Sequence, residues 1–184
     1  MSTIVPLFTT LLQKLNHNPP KDLLDYVDQY YQQNKYRGYQ RSSRLAWQSK
    51  PIPHIDELQQ VQQYVDDNIY CTRKLIHQPA WININHQGAY NVTHVHPDVD
   101  YTVVYYLTDD NSKIILHNPM IYGMWNHLTF LDDQLKKEYN MQVDYPIKPN
   151  KGDILIFPAF VPHYVESNTK AHERMSISWG MSFR

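Results

Sequence analysis

The chain has 184 residues, 42% of them hydrophobic and 13% aromatic, with 17 Lys and Arg against 18 Asp and Glu for a formal net charge of -1. That length and composition support one domain with a real core, and exclude two full domains, general disorder and a basic field that would collect nucleic-acid phosphates. A single cysteine excludes an internal disulfide framework and a cysteine-rich zinc site, and no apolar run approaches the roughly 18 residues of a membrane span.

The N-terminus, Met1 to Pro6, lacks the basic start and unbroken apolar stretch of a signal peptide, so a cytoplasmic protein is expected. Residues 1–70 then read as a helical annex. Apolar residues recur at helical spacing in three stripes: Ile4, Phe8, Leu11, Leu12 and Leu15; Leu23, Leu24, Val27, Tyr30 and Tyr31; and Ile55, Leu58, Val61 and Val65. Pro19-Pro20 separates the first two stripes, and Pro51-Ile-Pro53 ends an irregular segment from Tyr36 to Lys50.

From about residue 79 the period changes to two. Short strands are expected at Trp81–Asn85, Tyr101–Leu107, Lys113–Leu116, Asp153–Phe157 and Met175–Trp179. Between residues 120 and 146 the alternation lapses, and Leu128, Leu131, Leu135 and Tyr139 are spaced for one helix within an insertion. Trp125 and Phe130 in that insertion suit either a lid over a barrel mouth or an oligomer contact. Helices first and strands after give a mainly β (α+β) class, a sandwich or barrel braced by N-terminal helices.

The sharpest local feature is His94-Val-His96, because alternate residues of a strand point the same way and can share one metal ion. His163 is a third candidate, at the end of Gly152-Asp-Ile-Leu-Ile-Phe-Pro158-Ala-Phe-Val-Pro-His163, where a strand gives way to a turn. Three neutral nitrogens suit Fe(II), and also Mn, Ni, Cu or Zn. Arg174 opens the last strand, eleven residues on, and the period of two puts it on one face with Ser176 and Ser178. An inward guanidinium needs either a structural carboxylate, Glu166 or Glu173, or a bound anion. A ligand carboxylate would fit its planar fork, with the Tyr106 hydroxyl added. Tyr105 and Tyr106 cannot both face inward.

These residues resemble the 2-oxoglutarate and Fe(II)-dependent dioxygenase superfamily, whose double-stranded β-helix carries His-x-Asp, a distant His, and an Arg or Lys about ten residues after it. More narrowly, Asn91-Val-Thr-His-Val-His-Pro97, Val104-Tyr-Tyr-Leu107, Gly152 to Pro158, Pro162-His163 and Glu173 to Ser178 resemble a group of oxygenases common in bacteria and marine phages. The match covers roughly 79–182, and Trp47-Gln-Ser49 resembles a motif upstream of the barrel in that group. Nucleic-acid-demethylating members show Asn-x-Tyr-x-x-Gly, five residues, then His-x-Asp. Asn83-Ile-Asn85-His-Gln-Gly88, five residues, then His94-Val-His96 is similar in spacing.

The resemblance implies a jelly roll, Fe(II) held by His94, His96 and His163, and 2-oxoglutarate as cosubstrate. It further implies that Asn83 and Asn85 lie at the 1-carboxylate end of 2-oxoglutarate, and that Arg174 and Tyr106, beside Ser176, hold its 5-carboxylate. The activity implied is hydroxylation coupled to decarboxylation of 2-oxoglutarate. His96 departs from the superfamily's carboxylate, with Asp98 in a shifted His-x-Asp as the alternative ligand.

The same stretch resembles the cupins, whose first motif is Gly, five residues, His-x-His and an acid a few positions later; Gly88, His94, His96 and Asp100 meet it with Asp for Glu. Three functions therefore stay open: a 2-oxoglutarate oxygenase, a three-His cupin enzyme without cosubstrate, and a binding or virion-associated module. The substrate, small molecule or macromolecule, is not legible. Near-neutral charge argues against long nucleic acids, no membrane partner is expected, and the amphipathic annex allows a homodimer or larger assembly.

Overall fold

The computed structural model describes residues 9–109 and 112–184. Ten strands and four helices follow one another as β1 (Gln13–Asn16), α1 (Lys21–Asn34), β2 (Ser43–Gln48), α2 (Asp56–Asn68), β3 (Leu75–His77), β4 (Trp81–His94), β5 (Tyr101–Tyr106), β6 (Ile114–His117), α3 (Ile121–Phe130), α4 (Asp133–Glu138), β7 (Asp144–Ile147), β8 (Asp153–Pro158), β9 (His163–Val165) and β10 (Arg174–Phe183). The main path of the sheet is β1-β8-β5-β10-β4-β9-β6-β7, with β2 added beside β4 and β3 beside β10. Its pairings are antiparallel, and it curls into a half-barrel of jelly-roll type.

The alternation read along the C-terminal strands sorts their two faces. Ile82 and Ile84 of β4, Val103 and Tyr105 of β5, and Ile177, Trp179 and Met181 of β10 form one buried cluster. Against it α1 sets Leu23 and Val27, and α2 sets Leu58, Val61 and Val65. Each such side chain contributes roughly 1.5–3 kcal/mol when fully buried. Pro20 precedes α1, and Asp56 and Glu57 place negative charge in the first turn of α2, where the helix dipole favours it. The opposite faces of these strands carry Asn83, Val104, Tyr106, Ser176 and Ser178, and they turn toward the hollow of the curl. Tyr105 thus packs into the helical layer, where its hydroxyl donates to His17 O at 3.0 Å, while Tyr106 faces inward.

The 1–70 annex is not purely helical. Leu11, Leu12 and Leu15 belong to no helix: residues 13–16 form the edge strand β1, paired with β8 in the register Leu15↔Ile154, and Ile4 and Phe8 lie outside the described residues. Lys14 Nζ sits 2.7 Å from the Asp153 carboxylate, which also accepts a hydrogen bond from Asn16 Nδ2, so pairing with an open sheet edge prevails over helical spacing. The supposedly irregular 36–50 segment contains β2, which adds Trp47↔Ile84 and Gln48↔Asn83 beside β4. Its apolar residues do not alternate cleanly because a bulge between Arg44 and Ala46, with Leu45 at φ 55°, breaks the period. In the insertion, one expected helix is two. Leu131 leaves helical geometry and Asp132 caps α4, its carboxylate accepting from the backbone N–H groups of Gln134 and Leu135.

Candidate metal centre

Register builds the floor of the hollow in rows. Ser176 of β10 lies between Tyr106 of β5 and Asn83 of β4; Ser178 lies between Val104 and Trp81; Gly180 lies beside Thr102; and Arg174 lies beside Asn85. Over this floor, His94 at the end of β4 pairs in register with His163 at the start of β9. His96 follows in the loop, its backbone N–H donating to Ala159 O at 3.0 Å. The three imidazoles and these rows line one cavity of about 490 Å³.

The ligand nitrogens of His94, His96 and His163 lie within 4.8 Å of one another, and this is the one group of three or more His, Cys, Asp or Glu side chains suited to an ion among the described residues. Their ring centroids are 4.2 Å apart for His94 and His163, 5.1 Å for His94 and His96, and 5.3 Å for His96 and His163. His94 Nδ1 is 2.8 Å from Val92 O and His163 Nδ1 is 3.0 Å from Val161 O. A carbonyl can only accept, so each Nδ1 carries the proton and each Nε2 keeps its lone pair. Phe157 packs edge-on against His163 at 4.9 Å, and the Trp81 ring lies 6.0 Å from that of His96.

Burial lowers the pKa of all three rings. It brings His163 down to about 3, with His94 as the next cause, and His96 down to about 4, again with His94 next. His94 is lowered by burial against the opposing pull of its carbonyl hydrogen bond. At neutral pH the trio is therefore uncharged and has lone pairs to give, the state a divalent transition metal requires. The donor set fits such an ion: three imidazole nitrogens from rigid strands and a pinned loop, with a cavity on the open side.

Arg174 is 4% exposed and lines the same cavity, as do Tyr106, Asn83 and Ser176. The two glutamates considered as its structural partners are engaged elsewhere, Glu173 with His86 at 3.0 Å and Glu166 with the backbone N–H of Lys113. Asn85 behaves differently from Asn83. It is wholly buried, does not line the cavity, and donates from Nδ2 to Asn91 Oδ1 at 3.2 Å, so Asn91 is the amide that faces the hollow. Asp98 lines the rim but is exposed and stands outside the histidine cluster. Asp100, the acid of the cupin pattern, accepts from the backbone N–H of Phe183 through Oδ2. His117 is not among the cavity-lining residues and pairs with Asp144, and residues 120–146 contribute nothing to the cavity lining. Arg41, Gln48, Trp81 and Asn91 are among the lining residues that sequence reasoning missed; Trp81 was within reach, since it shares the face of Asn83 two residues away.

Solved structures similar to this one share the fold at low sequence identity. A prolyl hydroxylase from Trichoplax adhaerens, in complex with a hypoxia inducible factor peptide fragment, is similar with a TM-score of 0.64 and 12% identity over 94% of this chain and 83% of that one. A prolyl-4-hydroxylase from Pseudomonas putida is similar with a TM-score of 0.55 and 16% identity over 96% and 94%. HygX from Streptomyces hygroscopicus, solved with nickel and 2-oxoglutarate, is similar with a TM-score of 0.60 and 7% identity over 95% and 83%. No curated protein matches the sequence. Fold and cavity thus define a jelly roll of the kind used by 2-oxoglutarate-dependent oxygenases. Residues 79–180 match the family described as "Putative 2OG-Fe(II) oxygenase", and the chain belongs to that family. Its cofactor and cosubstrate are accordingly Fe(II) and 2-oxoglutarate.

Proposed function

We propose that the protein is an Fe(II)- and 2-oxoglutarate-dependent dioxygenase that hydroxylates its substrate, with His94, His96 and His163 holding the metal and Arg174 and Tyr106 holding the far carboxylate of the cosubstrate. The observation that carries this reading is the convergence of three neutral imidazoles and a buried arginine on one cavity. Fe(II) and 2-oxoglutarate supply the oxidising chemistry when bound: dioxygen is consumed as the cosubstrate loses carbon dioxide to give succinate, and one oxygen atom passes to a C–H bond.

The chain's own work is binding and placement. His96 lies over Trp81, in the Ser178 row, and Arg174 enters four residues earlier on the same strand, roughly 13 Å away at about 3.3 Å per residue. The intervening row of Asn83, Ser176 and Tyr106 leaves a polar channel for a five-carbon dianion reaching from metal to guanidinium. The planar fork of Arg174 orients a carboxylate by paired hydrogen bonds, and the Tyr106 hydroxyl can donate a third. Ile114 and Val165, buried in the cavity lining, exclude water from the inner wall, with Phe157 packed against His163.

The test is an anaerobic titration of metal-free protein with Fe(II) and then 2-oxoglutarate, followed by the visible charge-transfer absorption of the chelated cosubstrate. The band is expected at one equivalent of each. Iron uptake without the band would replace this reading with a metalloenzyme that needs no cosubstrate; no iron uptake would leave a barrel used for binding.

A further inference from the structure

Two of the three imidazoles project from paired strands, but His96 stands on a loop, and something must hold that loop at the right height over the floor. We infer that the bare backbone of Gly180, packed beneath Val99, sets the position of His96. This rests on the three-histidine reading of the metal centre.

Gly180 lies on the cavity floor in β10, opposite Thr102. A Cβ placed there would meet Val99 Cγ1 at 2.4 Å and Val99 Cβ and Cγ2 at 2.9 Å, closer than side chains approach. Backbone conformation does not call for glycine at this position, since the glycines with positive φ are Gly88 and Gly152. Gly180 is therefore present for the close approach of Val99.

The loop from His96 to Asp100 has little freedom to absorb a push from below. At one end His96 N–H donates to Ala159 O at 3.0 Å; at the other, Asp100 N–H donates to Met181 O at 2.9 Å, Asp100 O accepts from Ala159 N–H at 2.9 Å, and Asp100 Oδ2 accepts from Phe183 N–H at 2.8 Å. Pro97 fixes one φ within it. Bulk added at position 180 must lift Val99, and the displacement passes through Asp98 and Pro97 to His96. His94 and His163, held by β4 and β9, stay where they are. Gly180 is thus a positioning residue for one ligand of three.

The experiment compares wild type, Gly180→Ala, Val99→Gly/Gly180→Ala and His96→Ala by cobalt(II) titration, and the three proteins that keep His96 by mass-spectrometric mapping of its diethylpyrocarbonate modification in metal-free protein. Gly180→Ala is expected to bind cobalt 10- to 100-fold more weakly, the usual loss when support of a ligand is removed. Its visible spectrum should move toward that of His96→Ala, and its His96 reactivity should rise. Removing the Val99 side chain in the double variant should restore both. If Gly180→Ala does not fold, Val99→Phe presses on the same contact from the loop side and is judged by the same readouts. Failure of wild type to bind cobalt would count against the metal centre alone, because His96 reactivity still decides the Gly180 contact. A folded Gly180→Ala protein with wild-type affinity, spectrum and reactivity would overturn the inference, as would a double variant that restores nothing.

Discussion

Replacing Arg174 by alanine separates the cosubstrate's hold from the metal's. The guanidinium is buried at the start of β10 and lines the cavity without belonging to the histidine cluster. A charge-assisted hydrogen bond contributes about 1.5–3 kcal/mol, and stripping one partner from a buried ion pair costs about 3–5 kcal/mol because the remaining charge is left uncompensated. At about 1.4 kcal/mol per decade, 2-oxoglutarate should bind some two to three and a half decades more weakly. Fe(II) should bind as before, since no ligand atom is lost. Calorimetric titration of the iron-loaded, oxygen-free variant measures the first quantity, and metal analysis after dialysis measures the second. Arg174→Lys should fall between, keeping the charge but losing the planar fork. An unchanged 2-oxoglutarate affinity in Arg174→Ala would refute the assignment of this residue, and loss of iron would refute the separation of the two sites.

Two further outcomes follow from the donor set. His96→Asp should raise Fe(II) affinity in the absence of 2-oxoglutarate by on the order of tenfold: a unit negative charge about 4 Å from a dication is worth about 8 kcal/mol at an effective dielectric of about 20, offset by several kcal/mol for burying a carboxylate and by the loss of the imidazole donor. Equal or weaker iron binding would show that the loop cannot present a shorter side chain to the ion. Second, metal-free protein should lose stability as pH falls below about 6.5, the unfolded-state value for histidine. The folded-state pKa values of His96 and His163 are depressed to about 4 and about 3, so the unfolded chain binds more protons in this window and gains on the native state until those values are passed. Denaturant unfolding between pH 7.5 and 5 should give a smaller slope for His163→Gln than for wild type; identical slopes would mean that burial does not suppress this proton.

The elements legible in the sequence are those whose periodicity is set by a buried face. The two faces of β5, β8 and β10 follow from the period of two along each strand, and α1 and α2 from apolar stripes that begin just after prolines. The legible part of the site has the same origin: the structure brings His94, His96, His163, Arg174, Tyr106 and Asn83 to one cavity, because register carries face to face from strand to strand. What escaped were features decided by pairing partners far away in sequence. The strand β1 exists because β8 offers an edge, and β2 because β4 does. Asn85 misled for a related reason. Alternation puts it on the inward face, but β4 bulges between Asn85 and Asn91, with Gly88 at φ 83°, and Asn91 comes forward to cover it. Asn168 clamps that bulge, its carbonyl accepting from Gly88 N–H at 2.7 Å and its Nδ2 donating to Asn85 O at 2.9 Å, a contact across more than eighty residues that no local pattern announces.

The absence of a carboxylate among the three donors leaves a charge to be balanced, and Asp98 is the one acid lining the cavity among the described residues. Three imidazoles bring no negative charge to the two positive charges of Fe(II). A negative side chain at the rim, two residues beyond His96, acts on that charge through the field rather than by ligation. Because Asp98 is exposed, that effect is weak and screened by salt. Asp98→Asn should therefore lower Fe(II) affinity a few-fold at low ionic strength, with the difference fading near 1 M salt, where the Debye length is about 3 Å. The cobalt(II) absorption spectrum should be that of wild type, because the donor atoms are unchanged. A salt-independent loss accompanied by an altered spectrum would make Asp98 a ligand, and the shifted motif His96-Pro-Asp98 would then displace His94 from the metal.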